Sequence, residues 1–330
     1  MRYGYLCLAL IFGLLTQGHA KTAEFTMKGA TVAPPNTPWS ELLKSYKKLV
    51  RKGTDKRIKV KVYLGGTKGD EQSIVRQVRK GTLQAAGVST GAMSVVVPEI
   101  DIFELPYLFD SVEQADKVLD AVRPLVAEIL EAKGFKLIMY SENGYRCFGS
   151  KKPIRTPDDL KAYKMRSQES PSHLAMYGAL GASARPISVS EVLPALQTGN
   201  VDGFDNTALF TQAASWHQGI QHFTVSNHIY QPALLIMNKA WYEALPDDLK
   251  AAVIPKERKL EKRGRKGIRA LTPLLLKNFE AQNVTVYKLT DDEKAAFKAK
   301  TRAAWDERMK SATPMGKKLF EAILAAKKAQ

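Results

Sequence analysis

Hydrophobic and polar positions along the first part of the chain follow two alternating periods. Residues 57–64 place an apolar side chain at every second position, which predicts a strand. The preceding segment repeats apolar residues every three to four positions, and Thr37 followed by Pro38 predicts where that helix begins. A second helix is predicted over 70–80 and ends at Gly81. Because short strands flank these helices, the order βαβαβ predicts a parallel sheet covered by helices.

The same alternation restarts after about residue 143 and predicts a second α/β unit. Strands are predicted over 135–141 and 145–150, and 229–238 is long and apolar enough for a strand between the two units. Residues 246–282 predict one long helix with a basic middle, and 291–311 and 314–328 predict two terminal helices. Because no low-complexity linker separates the units, we expect two lobes with several crossings, hinges and a cleft. The predicted boundaries are 21–143 with about 232–271 for lobe I, and 144–231 with about 272–330 for lobe II.

The N-terminal residues predict an export signal. Arg2 precedes a short apolar run over 6–15, and Gly18-His19-Ala20 places small residues at the third and first positions before a cleavage point. This pattern predicts a signal peptide over 1–20, because the apolar run is too short to span a membrane. Its removal would leave Cys147 as the single cysteine, which predicts a buried apolar side chain and no intrachain disulfide.

Composition excludes a disordered chain but leaves a binder of anionic surfaces as an alternative. The 330 residues are 45% hydrophobic, which excludes a disordered chain, but 50 Lys and Arg against 33 Asp and Glu give a net charge of +17. Much of the excess lies in 256–269, where aromatic residues are few. A solvated helix face is the favoured interpretation. A binder of nucleic acid or of an anionic envelope surface is the alternative.

One short motif suggests an enzyme. Residues 87–91 match the G-x-S-x-G pattern of serine hydrolases and follow a predicted strand, which makes Ser89 a candidate nucleophile. Residues 95–98 are a poor continuation as a helix, so a secreted serine hydrolase is only an alternative. The histidines lack the spacing of a zinc site, and no phosphate-binding glycine loop occurs. We therefore expect no cofactor, no metal and no catalysis.

Two arginines in the second lobe are candidate ligand contacts. Arg146 lies in a predicted strand near the start of that lobe, and Arg166 ends another strand there. An arginine at a strand end is well placed to face a cleft, and its planar fork matches a carboxylate with two parallel hydrogen bonds. A surface ion pair is the alternative for either one. Phe204 and Trp216 are candidate apolar walls of the same cleft, although either residue could belong to the core.

A series of motifs then identifies a family. They occur in a fixed order over nearly the whole chain after the signal, and they are Leu105-Pro106-Tyr107-Leu108-Phe109, Glu142-Asn143-Gly144-Tyr145-Arg146, Thr156-Pro157-Asp158-Asp159-Leu160, Lys164-Met165-Arg166 and Ala195-Leu196-Gln197-Thr198-Gly199-Asn200-Val201-Asp202-Gly203 with Asn206. Together they resemble the DctP family, the substrate-binding proteins of TRAP (tripartite ATP-independent periplasmic) transporters. The resemblance implies the type II-like fold of periplasmic binding proteins, with mixed or parallel sheets, helices on both faces and a long helix bridging the lobes.

The resemblance also implies roles for individual residues. The family captures small organic acids, and its characteristic arginine matches Arg166, which is the expected carboxylate clamp. The matching Arg146 would assist, and Asn206 would hydrogen-bond the ligand. Ser89 and Thr90 stand where relatives place polar pocket residues. Val189 replaces an aromatic wall of some relatives, which predicts a roomier cavity.

Partners and location follow from the same resemblance. We expect a small organic anion as ligand, the small and large TRAP membrane subunits as partners, the periplasm as location, no nucleic acid, and a monomer rather than a dimer. Asp205 beside Asn206 could face the cleft or point into the lobe. Residues 204–207 lack the motifs of sialic-acid and 2-oxo-acid binders, so the acid stays open. The alternative on the same fold is a carrier or sensor of a larger hydrophobic acid or lipid.

Overall fold

The computed structural model describes residues 23–256 and 258–329, and the predicted signal peptide lies outside these residues. In this part of the chain, the strands are β1 (Phe25–Ala30), β2 (Ile58–Tyr63), β3 (Ala85–Ser89), β4 (Phe135–Ser150), β5 (Lys164–Ser167), β6 (Ser183–Pro186), β7 (Gly203–Thr207), β8 (His222–Asn238) and β9 (Thr285–Lys288).

The helices of the same residues alternate with these strands. They are α1 (Pro38–Gly53), α2 (Glu71–Lys80), α3 (Thr90–Met93), α4 (Val112–Ala132), α5 (Pro171–Ala179), α6 (Val192–Gln197), α7 (Ala208–Ala213), α8 (Lys239–Glu243), α9 (Asp247–Val253), α10 (Lys259–Ala281), α11 (Asp291–Ser311) and α12 (Pro314–Lys328). Short 3₁₀ helices occupy Pro98–Glu104, Pro157–Leu160, Val189–Glu191 and Trp216–Gly219.

The predicted helix starts are present where side chains satisfy the first backbone N–H groups. The Thr37 side chain accepts a hydrogen bond from the backbone of Ser40, and the Ser40 hydroxyl accepts one from the backbone of Thr37. Pro38 follows as the first residue of α1. Gly81 ends α2 in the left-handed conformation, with φ of 80°, which glycine adopts without steric cost.

All the strands described join one mixed sheet. Their order is β2-β1-β3-β8-β4-β7-β5-β6, and β9 pairs with the beginning of β8. The two long strands β4 and β8 run antiparallel at the centre of the sheet. On the other edge of β8, β3 pairs with residues 233–237 and β9 pairs with residues 222–225. One pair of strands therefore carries the chain through both lobes, and the lobes share a continuous backbone ladder.

Alternation along the strands divides the core into apolar clusters on opposite faces of the sheet. In lobe I, neighbouring Leu235 and Ile236 of β8 belong to different clusters. In lobe II, neighbouring Cys147 and Phe148 of β4 do the same. Because successive side chains of a strand point to opposite faces, each lobe has helices packed on both sides of the sheet. The two-lobed α/β fold expected from the sequence is confirmed.

Several predicted element boundaries are corrected. The segments 135–141 and 145–150 form the single strand β4, and β8 begins at His222 rather than at residue 229. The predicted helix over 246–282 consists of α9 and α10, because the chain breaks at Ile254 and Pro255. A single helical turn, α3, does follow Ser89.

The helices near the C-terminus connect the lobes. α10 packs on α1 of lobe I and on α7 and β9 of lobe II, so it bridges the lobes. α11 packs on α5 in lobe II, whereas α12 packs on α4. The sequence division assigned all of 272–330 to lobe II, but Leu319 and Ile323 of α12 lie in an apolar cluster of lobe I. The reason is the apolar face of α12, which covers α4.

Candidate ligand-binding cleft

A cavity lies between the lobes beside the central strands β4 and β8. Its interior volume is about 40 Å³. Lobe I contributes Trp39, Glu71 and Gly87, and lobe II contributes Arg146, Arg166, Gln168, Val189, Asn206 and Phe210. Gln231 of β8 and Asn143 of β4 line the cavity from the strands that connect the lobes. The lining therefore combines two cations, one acid and several amides.

Arg166 lines this cavity and carries an unsatisfied hydrogen-bond donor. Its side chain is only 2% exposed, and its Nε donates to the carbonyl oxygen of Ile187 at 2.9 Å. The guanidinium carbon lies 5.2 Å from the ring centroid of Trp216, in cation–π contact. Nη1 is buried and has no partner among the described residues. Burial, and then the neighbouring Arg146, lower the pKa of Arg166 to about 10, which still leaves it protonated at neutral pH.

Arg146 lines the same cavity, but its charge is already balanced. Its Nε lies 2.5 Å from Oδ2 of Asp205, and both groups are essentially buried. Its Nη1 donates to Gln231 at 3.0 Å and to Asn206 at 3.4 Å, and its Nη2 donates to the backbone oxygen of Asp205. Burial alone would lower the pKa of Arg146, but Asp205 raises it. Asp205 thus points into lobe II rather than into the cleft.

A buried network holds the Arg146–Asp205 pair in place. Tyr177 donates its hydroxyl to Asp205 Oδ1 at 2.8 Å, and Nε2 of His228 lies 3.5 Å from Asp205 Oδ2. His173 bridges this pair to a second carboxylate, because its Nε2 lies 2.8 Å from Glu104. Burial alone would raise the pKa of Asp205, whereas Arg146 and then His173 lower it well below its usual range. The Asp205 carboxylate is therefore ionised.

The amide side chains of the cavity are fixed by the same network. The Nε2 of Gln231 donates to Glu104 at 2.9 Å and to Oε1 of Gln168 at 3.1 Å. The Oε1 of Gln231 accepts from Asn143 at 2.9 Å. Gln231 is therefore saturated and rigid, while Gln168 and Asn143 offer their remaining polar atoms to a ligand.

Ser89 and Thr90 stand behind the wall of the cavity. The Ser89 hydroxyl donates to Oε2 of Glu71 at 2.7 Å and caps α3 by accepting from the backbone of Ala92 at 3.1 Å. Thr90 donates to Glu104 and to the carbonyl oxygen of Pro232. Both side chains are at most 1% exposed and neither lines the cavity. Their hydroxyls position carboxylates, and Ser89 is not placed to attack a substrate in the cleft.

The glycines of the G-x-S-x-G motif have a packing explanation. A Cβ at Gly87 would lie 2.7 Å from the ring of Trp39, and one at Gly91 would lie 2.4 Å from Oε1 of Gln168. Trp39 and Gln168 both line the cavity. Both glycines therefore allow cleft side chains to approach the backbone of lobe I, and the match to a hydrolase motif is coincidental.

The remaining residues predicted to contact the ligand lie in two kinds of place, at the cavity surface or packed beneath Arg166. Asn206 and Val189 line the cavity, as expected. Phe204 is buried in lobe II, where its ring packs edge to face on Trp216 with centroids 5.0 Å apart. Trp216 lies under the guanidinium group of Arg166. Phe204 therefore packs behind Trp216, and Trp216 contacts the arginine and lines an adjoining cavity with Val189 and Phe210.

Sequence reasoning missed several lining residues, namely Thr31, Trp39, Glu71, Asn143, Gln168 and Gln231. Two of these residues had a signal: Asn143 belongs to the family motif that ends at Arg146, and Gln168 follows Arg166 by two positions and therefore points to the same side of an extended chain. Glu71 is the first residue of an ordinary amphipathic helix, and nothing in its local pattern distinguishes it from a solvated glutamate.

The chain is similar to known bacterial proteins over most of its length. Residues 29–312 match the family model DctP, described as bacterial extracellular solute-binding protein, family 7. A solute-binding protein of Verminephrobacter eiseniae is 36% identical over 228 residues, which are 68% of each chain.

Two solved structures match almost completely. A sugar acid binding protein of Advenella mimigardefordensis in complex with galactonate is 28% identical, with a TM-score of 0.86 over 92% of this chain and 98% of that one. A TRAP periplasmic solute-binding protein of Sulfurospirillum deleyianum with bound succinate is 27% identical, with a TM-score of 0.85 over 92% of this chain and 100% of that one.

Proposed function

Because the chain belongs to the DctP family of bacterial extracellular solute-binding proteins, we propose that it is the periplasmic solute-binding subunit of a TRAP transporter. It captures a small organic acid in the cleft between its lobes and delivers the acid to the membrane subunits. Among the described residues, no helix is both long and apolar enough to cross a bilayer. The protein carries out no reaction on its ligand.

The observation that carries this proposal is the state of Arg166. A guanidinium group that is 2% exposed and has an unpartnered Nη1 is costly unless a ligand supplies the missing acceptors. A carboxylate does so with two parallel, charge-assisted hydrogen bonds. The bond of Nε to Ile187 and the ring of Trp216 hold the guanidinium plane before the ligand arrives. Such preorganisation lowers the entropic cost of binding.

Capture is completed by rotation of the lobes about the central strands. The pairing of β4 with β8 shifts in register between Glu142 and Gly144, and Gly144 has a φ of 100°. A local change at these residues can alter the angle between the lobes while the ladder on either side persists. The ligand favours the closed state because only that state offers contacts from both lobes at once.

A larger hydrophobic acid or lipid is disfavoured as the ligand. The cleft has an interior volume of about 40 Å³, and its lining includes two arginines, a glutamate and four amide side chains (Asn143, Gln168, Asn206 and Gln231). An acyl chain would leave these polar groups without hydrogen-bond partners, which costs free energy.

The test is the substitution Arg166→Ala, with Arg185→Ala as its control. Arg185 pairs with Arg166 in register on the adjacent strand β6, but it is exposed and bonded to Asn200. Galactonate and succinate are titrated by calorimetry and by thermal shift. At least one acid should bind the wild type and Arg185→Ala alike. Loss of a buried charged contact costs about 2–5 kcal/mol, so Arg166→Ala should weaken binding by at least about 30-fold.

The circular dichroism spectrum of Arg166→Ala should match that of the wild type. Retention of wild-type affinity in folded Arg166→Ala protein would refute the proposal.

A further inference from the structure

Positive charge covers the outer side of lobe I, where helices α1 and α10 lie side by side. We propose that this surface binds the anionic phospholipids of a membrane and docks the protein there through lobe I. Its eight cations, called the α1–α10 surface below, are Lys47, Lys48, Arg51 and Lys52 of α1, Lys256 just before α10, and Lys262, Arg263 and Lys266 of α10. None of these eight residues lines the interlobe cleft, so the inference does not depend on which acid the cleft binds.

Close packing of α10 on α1 brings the cations onto one surface. A Cβ at Gly264 would lie 3.3 Å from the side chain of Leu42, so the glycine lets the two helices approach closely. Nη2 of Arg263 donates to the hydroxyl of Ser45 in α1 at 2.6 Å. Leu42 and Ile268 belong to the same apolar cluster of lobe I. The cations therefore lie on the solvent side of a helix pair that is anchored in lobe I.

The charge of the α1–α10 surface is not neutralised within the fold. All eight residues are exposed, and none of them forms an ion pair with another residue that the structure describes. The single acidic residue of α1, Glu41, already pairs with Lys44 at 2.7 Å. By contrast, Arg265 and Arg269 on the inner side of α10 are both bonded to Asp116. The outer cations are thus available to an anionic partner outside this chain.

The residue types of the surface favour a lipid bilayer over a protein as that partner. Six of the eight cations are lysines, and no aromatic side chain lines the groove between the helices. Protein interfaces are enriched in arginine and aromatic residues and depleted of lysine, and single-stranded nucleic acids are held by aromatic stacking. Clusters of about four to eight basic residues are typical of surfaces that bind anionic lipids. The proposed function places the protein beside a membrane.

The groove between the helices adds apolar contacts beside the cations. It is open to solvent and has a volume of about 810 Å³, and Leu49, Pro255 and Leu260 line it. Lysine ammonium groups bind lipid phosphates while their alkyl stems and these apolar side chains contact the boundary between headgroups and acyl chains. Because the surface belongs to lobe I, lobe II stays free to rotate while the protein is docked.

The experiment measures co-sedimentation of the protein, purified after export, with lipid vesicles at an ionic strength of about 0.1 M. Vesicles of equal parts phosphatidylglycerol and phosphatidylcholine should bind the wild type, whereas vesicles of phosphatidylcholine alone should not. One variant combines Lys47→Gln, Lys48→Gln, Arg51→Gln and Lys52→Gln. It should bind the anionic vesicles at least about 30-fold more weakly, since each cation near an anionic bilayer contributes about fivefold.

A matched control removes the same number of charges from another surface. It combines Lys300→Gln, Lys310→Gln, Lys317→Gln and Lys318→Gln, at exposed positions of α11 and α12 that form no ion pair with a described residue. α12 packs on the apolar cluster across the sheet from α1. The control should bind the anionic vesicles within about threefold of the wild type, because its charges lie more than a screening length of about 10 Å from the docked surface.

Three outcomes would overturn the inference. One is that the anionic vesicles do not bind the wild type, and another is that the two variants lose equal affinity, which would show an effect of net charge alone. The third is tighter binding to a DNA duplex than to the vesicles at equal phosphate concentration, since the surface would then fit a nucleic acid better. Both variants should bind galactonate or succinate as the wild type does, so none of these outcomes bears on the proposed function.

Discussion

Arg166 and Arg146 line one cavity, yet the surroundings of their guanidinium groups differ. Arg166 contacts a carbonyl oxygen and an aromatic ring and keeps donors for a ligand. Arg146 is held by Asp205, Gln231 and Asn206. Arg166 therefore has a donor without a partner among the described residues, whereas every guanidinium nitrogen of Arg146 is bonded within the fold.

The structural role of Arg146 has a consequence for stability. Arg146→Met would leave the carboxylate of Asp205 buried without its cation, and breaking a buried pair from one side costs about 3–5 kcal/mol of the free energy of unfolding. Lys161→Met breaks a pair with Asp158 in which both side chains are mostly exposed, and it should cost less than about 1 kcal/mol. Urea denaturation of both variants measures the difference. Equal losses in the two variants would contradict the assignment.

Sequence reasoning placed Arg166 in the cleft, where it lines the cavity, but it did not predict the pairing of Arg146 with Asp205. The position of Arg166 at the end of a short strand and its family motif both indicated a cleft. The pairing of Arg146 with Asp205 depends on the register of β4 against β7, in which Arg146 stands opposite Thr207. Local sequence patterns carry no information on that register. The sequence alone therefore could not decide whether Asp205 faces the cleft or points into lobe II.

At the level of elements, the continuity of β4 and β8 decides how the lobes are joined. The Glu142-Asn143-Gly144 segment has the composition of a turn, and the sequence therefore predicted two strands around it. Pairing with β8 on both sides of Gly144 keeps the segment extended, with register shifts in place of a turn. Tertiary pairing overrides the local preference here. By contrast, α11 and α12 match their predicted bounds because Thr290 and Thr313 cap them locally.

Gly144 lies at the register shift between β4 and β8 where we propose that the lobes rotate, and its backbone conformation can be tested. Its φ of 100° is unfavourable for a residue with a Cβ, although a Cβ would meet no atom closer than 3.9 Å. Gly144→Ala should therefore lower the free energy of unfolding by about 1 kcal/mol or more through backbone strain. Gly178→Ala, in helix α5 with nothing within 4 Å of the new Cβ, should be neutral or stabilising. Thermal denaturation of both variants provides the measurement. A Gly144→Ala variant as stable as Gly178→Ala would contradict a strained hinge.

Across the whole molecule, some of the basic residues are exposed to solvent and others form ion pairs within the fold. The prediction of a solvated basic helix holds for exposed Lys262 and Lys266, but Arg265 and Arg269 of α10 face the protein. Arg269 bonds Asp116 of α4 and Glu142 of β4. These acids are distant in sequence, so the charge pattern of α10 alone could not reveal the pairing. Part of the basic charge thus ties the bridging helix to lobe I.

The buried ionised carboxylates determine the acid limit of the fold, the pH below which its free energy of unfolding decreases. Burial alone would raise the pKa values of Asp205 and Glu104, but Arg146 and His173 beside Asp205, and His173 beside Glu104, lower both below their usual values. A carboxyl group with a lowered native pKa stabilises the fold above its unfolded pKa of about 4, and this contribution is lost as the pH falls further. The pKa of His173 is raised and the pKa of His228 is lowered, so the two histidines change the free energy of unfolding in opposite directions as the pH varies.

The free energy of unfolding should therefore decrease below about pH 4.5. Urea denaturation at a series of pH values measures this profile for the wild type and for Asp205→Asn. The decrease should be shallower in Asp205→Asn, because that variant lacks one of the carboxyl groups. Parallel profiles of the two proteins would show that Asp205 does not contribute to the acid limit.

The most direct test of the account is a crystal structure of the protein with galactonate. We expect the ligand between the lobes, with both carboxylate oxygens about 2.7–3.1 Å from nitrogen atoms of the Arg166 guanidinium group. The Arg146–Asp205 pair should stay intact. A carboxylate bound to Arg146 with Asp205 displaced, or a ligand outside the interlobe cavity, would contradict the account.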